Sequence, residues 1–224
     1  MSARDDILAL VRASLHVSGA EAPRRAAVAS RLAEAPVGVV PQRGQGTRSQ
    51  ILATFKAEAE RVRATVAEVA SAADAPAEIA RFLRENNLPA TLRHGSDPRL
   101  ASLPWSATAL EISHGPSDGD DVNAVSAAFA AIAETGTLAL VSGSDNPTTL
   151  NFLPENHFVL VFAEDVVGDM ESVVARLKAT YGQGAMPRAV NFVTGPSRSA
   201  DIEQTILLGA HGPRRLHIVV VGQP

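Results

Sequence analysis

The chain has 224 residues, 46% of them hydrophobic, which suits one α/β domain with a sizeable core or such a domain with a helical appendage. Its net charge of −4 argues against nucleic-acid and anionic-membrane partners, because phosphate binding needs clustered Lys and Arg. The absence of Cys removes disulfides, thiolate catalysis, zinc–thiolate sites and iron–sulfur ligation from this chain.

The N-terminus, Met1-Ser2-Ala3-Arg4-Asp5-Asp6, carries acids and no sustained apolar core, so it does not read as a signal peptide. No apolar run is long enough to span a bilayer, and a cytoplasmic protein is expected. Residues 2 to 14 fit a short amphipathic helix with Ile7, Leu8 and Val11 on one face. From Gly19 to Gly46, Pro23, Pro36 and Pro41 interrupt Ala- and Arg-rich text, which reads as a linker or wrapping arm. The division expected is an arm over 1–46 and a single α/β domain over 47–224. Gly44-Gln45-Gly46 superficially matches a nucleotide loop, but the third glycine is absent, Pro41 breaks the turn and no GxxxxGK occurs.

Thr47 or Ser49 caps a long helix expected to run to about Ala73, with Ile51, Leu52, Phe55, Ala59, Val62, Val66 and Val69 as its stripe. A second helix spans about Pro76 to Asn86 and stops at Asn86-Asn87 in a left-handed turn. Strands follow near Ala90 to Arg93, Ala107 to Ile112, Thr137 to Val141, Phe158 to Phe162, Ala189 to Val193 and Leu216 to Val221. Helices are expected near 122–134, 169–181 and 199–208, the first of them buried on most sides. Aliphatic strands interleaved with helical text predict an α/β fold, a class that places its working residues in loops at the carboxyl ends of strands.

Three loops carry the chemistry. Glu134 precedes Thr135-Gly136-Thr137 at the expected C-terminus of the 122–134 helix, where the macrodipole disfavours an acid. Such a carboxylate can bind a ligand hydroxyl, act as a base or attack an acyl group; alternatively it hydrogen-bonds a neighbouring loop while Gly136 ends the helix. Gly195-Pro196-Ser197, with Arg198 and Ser199 behind it, resembles a strand–loop–helix anion site. Capping by Ser197 or Ser199 explains it better as far as tight phosphate is concerned, leaving a weak polar-ligand site. His211 lies between Gly209-Ala210 and Gly212-Pro213, where an imidazole can act as acid, base or hydrogen-bond donor, although a lone loop His is more often a structural hydrogen-bond partner. His114-Gly115-Pro116 echoes it after another strand and suggests two imidazoles at one sheet edge, while His157 reads as a core-edge residue. No pair of ligands has the spacing of HExxH, so no metal site is assigned. Aromatic content of 4% offers little stacking surface for a flavin or nicotinamide ring.

Taken in order, Ala133-Glu134-Thr135-Gly136-Thr137, Leu153-Pro154-Glu155-Asn156-His157, Val166-Val167-Gly168, Gly195-Pro196-Ser197 with Ala200-Asp201-Ile202-Glu203, and Gly209-Ala210-His211-Gly212-Pro213 resemble the LUD-domain family, in its lactate-utilisation protein C group. The resemblance implies a fold like the NagB/RpiA/CoA-transferase superfamily: a three-layer, Rossmann-like, mainly parallel sheet, here with an N-terminal helical extension. It also implies a part in oxidising L-lactate to pyruvate, with iron–sulfur clusters on partner proteins and no cofactor in this chain. Two readings follow. In one the chain is a subunit of a lactate-oxidising assembly that binds a small 2-hydroxy or keto acid or the iron–sulfur partners; homo-oligomerisation is compatible with either. In the other it is a stand-alone acyl or CoA-type enzyme using Glu134 as nucleophile or base. The candidate residues are Glu134 and His211 for catalysis and Thr135, Gly136, Gly195, Ser197, Ser199 and Gly212 for ligand binding.

Overall fold

The computed structural model describes residues 2–34, 37–182, 184–199 and 207–223. The chain divides into two compact units, Met1–Val39 and Val40–Pro224. The smaller unit holds α1 (Ala3–Ser14), opened by a Ser2–Asp5 capping box, and α2 (Ala22–Glu34). The expected loose arm is therefore helical between Ala22 and Glu34: Pro23 sits in the first turn, where a missing N–H costs nothing. Val40–Gly46 belongs to the larger unit, with a 3₁₀ turn at Gln42–Gly44.

In the larger unit, α3 (Arg48–Arg61) starts at a capping box between Thr47 and Gln50. It ends well before Ala73. Arg63 adopts a φ of +73° and the Ala64 amide returns to the Ala59 carbonyl at 3.0 Å, a Schellman-type closure. Val66 and Val69, which continue the helical stripe in sequence, lie in β1 (Thr65–Val69) instead. Next come α4 (Ala75–Glu85), β2 (Thr91–His94), α5 (Pro98–Ala101) and β3 (Glu111–His114). Asn87, at φ +53°, makes the left-handed stop after α4. The strand expected from Ala107 starts later, because Trp105–Ala107 forms a 3₁₀ turn that buries the indole.

The largest departure is at 122–134. No helix forms there; the segment is β4 (Asn123–Ala127) followed by β5 (Ala130–Ile132), and every residue of both is buried. A nearly uniform apolar run has no period to read, and its alanines favour helix locally. Sheet context overrides that preference, because small side chains fit where both faces are covered. The remaining elements are β6 (Thr137–Val141), α6 (Thr149–Phe152), β7 (Asn156–Phe162), β8 (Val166–Val167), α7 (Met170–Tyr181), β9 (Val190–Thr194), β10 (Arg198–Ser199), β11 (Leu207–Leu208) and β12 (Arg215–Val221). Ser199 and Leu207 pair across an antiparallel ladder, so the ends of the helix expected at 199–208 are strand; residues 200–206 lie outside the described residues.

Six strands form one parallel sheet in the order β1-β12-β7-β4-β2-β3. Its pleat sorts the core into two layers. Val159 and Val161 of β7, with Ile218 and Val220 of β12, face Leu52, Phe55 and Ala59 of α3 and Leu138 and Leu140 of β6. Phe158 and Leu160, with Val219 and Val221, face Ile79, Phe82 and Leu83 of α4 and Trp105. Burial on both faces explains why these strands read as continuous apolar runs, and it makes the fold a three-layer α/β arrangement around a mainly parallel sheet. A second sheet, β8-β5-β6-β9, covers the α3 side, and its Ile132 and Ala139 pack on Val173 and Leu177 of α7. At the amino edge of the large sheet, Arg215 donates to Asn156 Oδ1 (3.1 Å) and Asn156 Nδ2 donates to Asn123 Oδ1 (2.8 Å). Asn123 in turn donates to the Pro89 and Thr91 carbonyls (2.9 Å each), so side-chain amides tie four adjacent segments into register.

Candidate functional site

A cavity of about 270 Å³ opens at the amino edge of β7 and β12. Its wall comes from the end of β9 and the following loop, Phe192 to Arg198, and from His211, Gly212 and Pro213 before β12. Asn151 and Phe152 of α6 and His157 of β7 complete it. Its size is at the small end for ligand pockets, which suits a compact metabolite.

Glycine fixes where these loops lie. Gly195 (φ +71°) and Gly136 (φ +64°) both press on the last turns of α3, where a Cβ would run into the Val62 carbonyl and the Ala59 amide respectively. The Ser197 amide donates to the Pro213 carbonyl (2.9 Å), and the Gly209 amide to the Ser197 carbonyl (3.0 Å), joining the two loops that frame the mouth. The His211 amide approaches Ser197 Oγ at 3.4 Å. Arg198 places a positive charge on the lining, and among the described lining residues none is acidic.

The inner end is polar and buried. Ser126, Asn151 and His157 are each 1% exposed. Ser126 Oγ donates to Asn151 Oδ1 (3.1 Å) and lies 3.0 Å from His157 Nε2. Neither His157 Nδ1 nor Asn151 Nδ2 has a protein partner, although both are out of solvent. Burial pushes the His157 imidazolium down to about pKa 3, so the ring is neutral near pH 7.

Of the sequence-derived candidates, Gly195, Ser197, His211 and Gly212 line this cavity. Glu134, Thr135 and Gly136 do not. Glu134 occupies the turn between β5 and β6, 6% exposed, and its Oε1 accepts the Met170 amide at 3.1 Å. The carboxylate thus meets the N-terminus of α7, where the macrodipole favours it, and not a helix C-terminus. Gly44 and Gly168 cross backbone to backbone beside it, the Gly44 position abutting the Glu134 Cβ. Thr135 reaches the cavity indirectly: its Oγ1 lies 2.7 Å from Thr137 Oγ1, which lies 2.7 Å from Oγ1 of the lining residue Thr194. Ser199 belongs to β10, beside the lining residue Arg198.

Two positional expectations change. The loops meet at the amino edge of the parallel sheet, because Gly209–Pro213 leads into β12 and Gly195–Ser197 leaves an antiparallel strand. His114 ends β3 at the opposite, carboxyl edge, stacked edge-on with His94 at 4.5 Å, so it shares no edge with His211. At that carboxyl edge a cavity of about 100 Å³ is lined by Asp97, Arg99, Asp145 and Asn146, with Arg99 held by Asp97 at 2.7 Å. Asn151 and Ser126 escape a sequence reading. Their signal is a polar residue set within otherwise apolar text, as in Ala124-Val125-Ser126-Ala127-Ala128. Among the described residues no group of three or more His, Asp or Glu stands together as a metal site, and no helix is long and apolar enough to cross a membrane.

The LUD domain family matches residues 123–221, which contain the whole cavity. Lactate utilization protein C of Geobacillus thermodenitrificans is 38% identical over 91 residues, 40% of this chain and 38% of that protein. A protein of the same name from Geobacillus sp. strain WCH70 is 36% identical over 91 residues, again 40% and 38% of the two chains. The matched region thus spans less than two fifths of those relatives' length. A crystal structure of a DUF162 family protein from Deinococcus radiodurans superposes with a TM-score of 0.60 at 24% identity, covering 80% of this chain and all of that one, a likeness of fold. Residues 123–221 of this chain thus match the LUD domain family, to which its loop motifs also point.

Proposed function

We propose that the chain is a subunit of a lactate-utilisation system that binds a small 2-hydroxy or keto acid in the cavity between the Gly195 and His211 loops. The lining carries the reading: one guanidinium, Arg198, no acid among the described residues, and apolar walls from Phe192, Val193 and Leu216 suit a short-chain carboxylate. Names of the relatives support a role in lactate utilisation. His211 and Ser197 stand at the mouth, placed to hydrogen-bond the bound acid. In this reading electrons leaving lactate pass to iron–sulfur partner proteins in the cytoplasm, and a chain without Cys, which holds no thiolate-bound cluster, agrees with that division of labour.

Acyl or CoA chemistry through Glu134 draws less support. Its Oε1 is engaged by the Met170 amide, and it does not line the cavity that holds His211. Purification of the tagged protein from cells grown on L-lactate tests the proposal. Recovery of cluster-containing subunits with lactate-dependent dye reduction is expected; a lone protein without that activity, and with acyl-CoA exchange lost in Glu134→Ala, would favour the second reading.

A further inference from the structure

We infer that the mouth of the cavity is a docking surface for a second protein, one that sets an acidic, apolar-tipped surface against it and covers the site; this rests on the assembly reading above. Four side chains carry the apolar part. Of the seven large apolar residues exposed among the described residues of Val40–Pro224, Phe152, Leu153, Phe192 and Leu208 line either the cavity or the hollow beside it, and each is 40–48% exposed. That hollow, about 700 Å³, is lined by Phe152 to Glu155 and by Leu208 to Gly212, and it shares Phe152, His211 and Gly212 with the cavity. The four side chains therefore belong to one patch around the mouth. Single exposed leucines need no explanation, but exposed apolar surface gathered in one place marks an interaction site.

Charge identifies the partner's chemistry. Arg198 on the cavity and Arg214 on the hollow are both exposed, and neither has an ion pair among the described residues, whereas Arg81, Arg93, Arg99 and Arg176 each have one. Glu155 is the one acid among the described residues that line either space. Aromatic side chains and Arg around an apolar centre are the composition of a protein interface, and unpaired guanidiniums at its rim are complemented by carboxylates opposite. A second copy of this chain does not supply them, because a two-fold contact sets the positive patch against itself. An anionic membrane does not fit either: the surface is hollow, and a chain of net charge −4 is repelled as a whole. An acidic protein with an apolar protrusion satisfies shape and charge together, and once seated it keeps solvent from the mouth framed by Ser197 and His211.

Photo-crosslinking of the full chain in cells grown on L-lactate tests this, with the probe placed at Leu153 and, for comparison, at the exposed Ala109 ahead of the edge strand β3. The Leu153 probe is expected to join the chain to one protein through a segment rich in Asp and Glu, sequenced by mass spectrometry, and the Ala109 probe is expected to leave it free. That protein, purified, should bind the wild type in a salt-sensitive manner, and Leu153→Asp and Arg214→Glu should each weaken binding at least about tenfold with the unfolding midpoint unchanged. A complex that crosslinks from Ala109 and not from Leu153 overturns the docking surface while leaving the assembly reading intact. A crosslinked segment without acids, or capture of the wild type but not Arg214→Glu by phosphatidylglycerol vesicles, also overturns it. If no complex is recovered at all, the assembly reading falls and takes the docking surface with it.

Discussion

Glu134 Oε1 accepts the backbone amide of Met170 at 3.1 Å, so the carboxylate of the family-like Glu-Thr-Gly-Thr turn sits on the first turn of α7. The contact ties the β5–β6 turn to the helix that covers it, and it joins an anion to the positive end of a helix dipole.

Glu134→Ala should therefore destabilise the fold by about 1–3 kcal/mol, the range for orphaning a buried donor and losing a charged acceptor. L-lactate affinity should stay unchanged, since Glu134 does not line the cavity. Urea unfolding with calorimetric titration on the same variant checks both. A variant of wild-type stability that no longer binds ligand would reverse the assignment.

Gly136 and Gly222 both have positive φ, +64° and +82°, but only Gly136 is pressed against another backbone, that of α3. Gly136→Ala should cost about 2 kcal/mol or more, whereas Gly222→Ala, facing open space, should cost about 1 kcal/mol. Unfolding midpoints of the two variants measure the difference directly.

Acid should loosen the fold through its buried imidazoles. Burial holds His157 down to about 3 and His217 down to about 4, against an ordinary 6.5. His217 lies 3.3 Å from Glu78 Oε1 but is neutral at pH 7, and its ring nitrogen Nδ1 is 2.7 Å from Thr65 Oγ1. Both groups have depressed values in the folded state, so the unfolded chain takes up their protons first. Their stabilisation is complete above pH 6.5 and is lost as pH falls towards 4, by about tenfold in the folding equilibrium per pH unit per histidine. Denaturation midpoints between pH 7 and 4 should fall accordingly, and His217→Gln should flatten the slope.

Much of the frame is legible in the sequence. β6, β7, β9, β12 and α7 follow from aliphatic runs, an Asp169 cap and glycine stops. β4 and β5 do not, because an Ala-rich segment buried on all sides shows no polar face to set a period. β1 is hidden by Val66 and Val69, which keep helical spacing with α3, and by Arg63, whose residue type gives no hint of a left-handed turn. The mouth of the site is legible as loops of Gly, Pro, Ser and His. Its interior is not: Ser126, Asn151 and His157 come from β4, α6 and β7, and only strand pairing such as Ser126 with Val159 brings them together.

Titration of L-lactate into wild type and Arg198→Ala reads out whether the cavity holds a small carboxylate through the Arg198 guanidinium. Saturable binding by the wild type, weakened about tenfold or more in a variant with an unchanged unfolding midpoint, is the predicted result. Equal binding by both proteins, or ligand-induced NMR shifts clustered around Asp97 and Asn146 at the carboxyl edge and absent from Asn151 and His157, would contradict it.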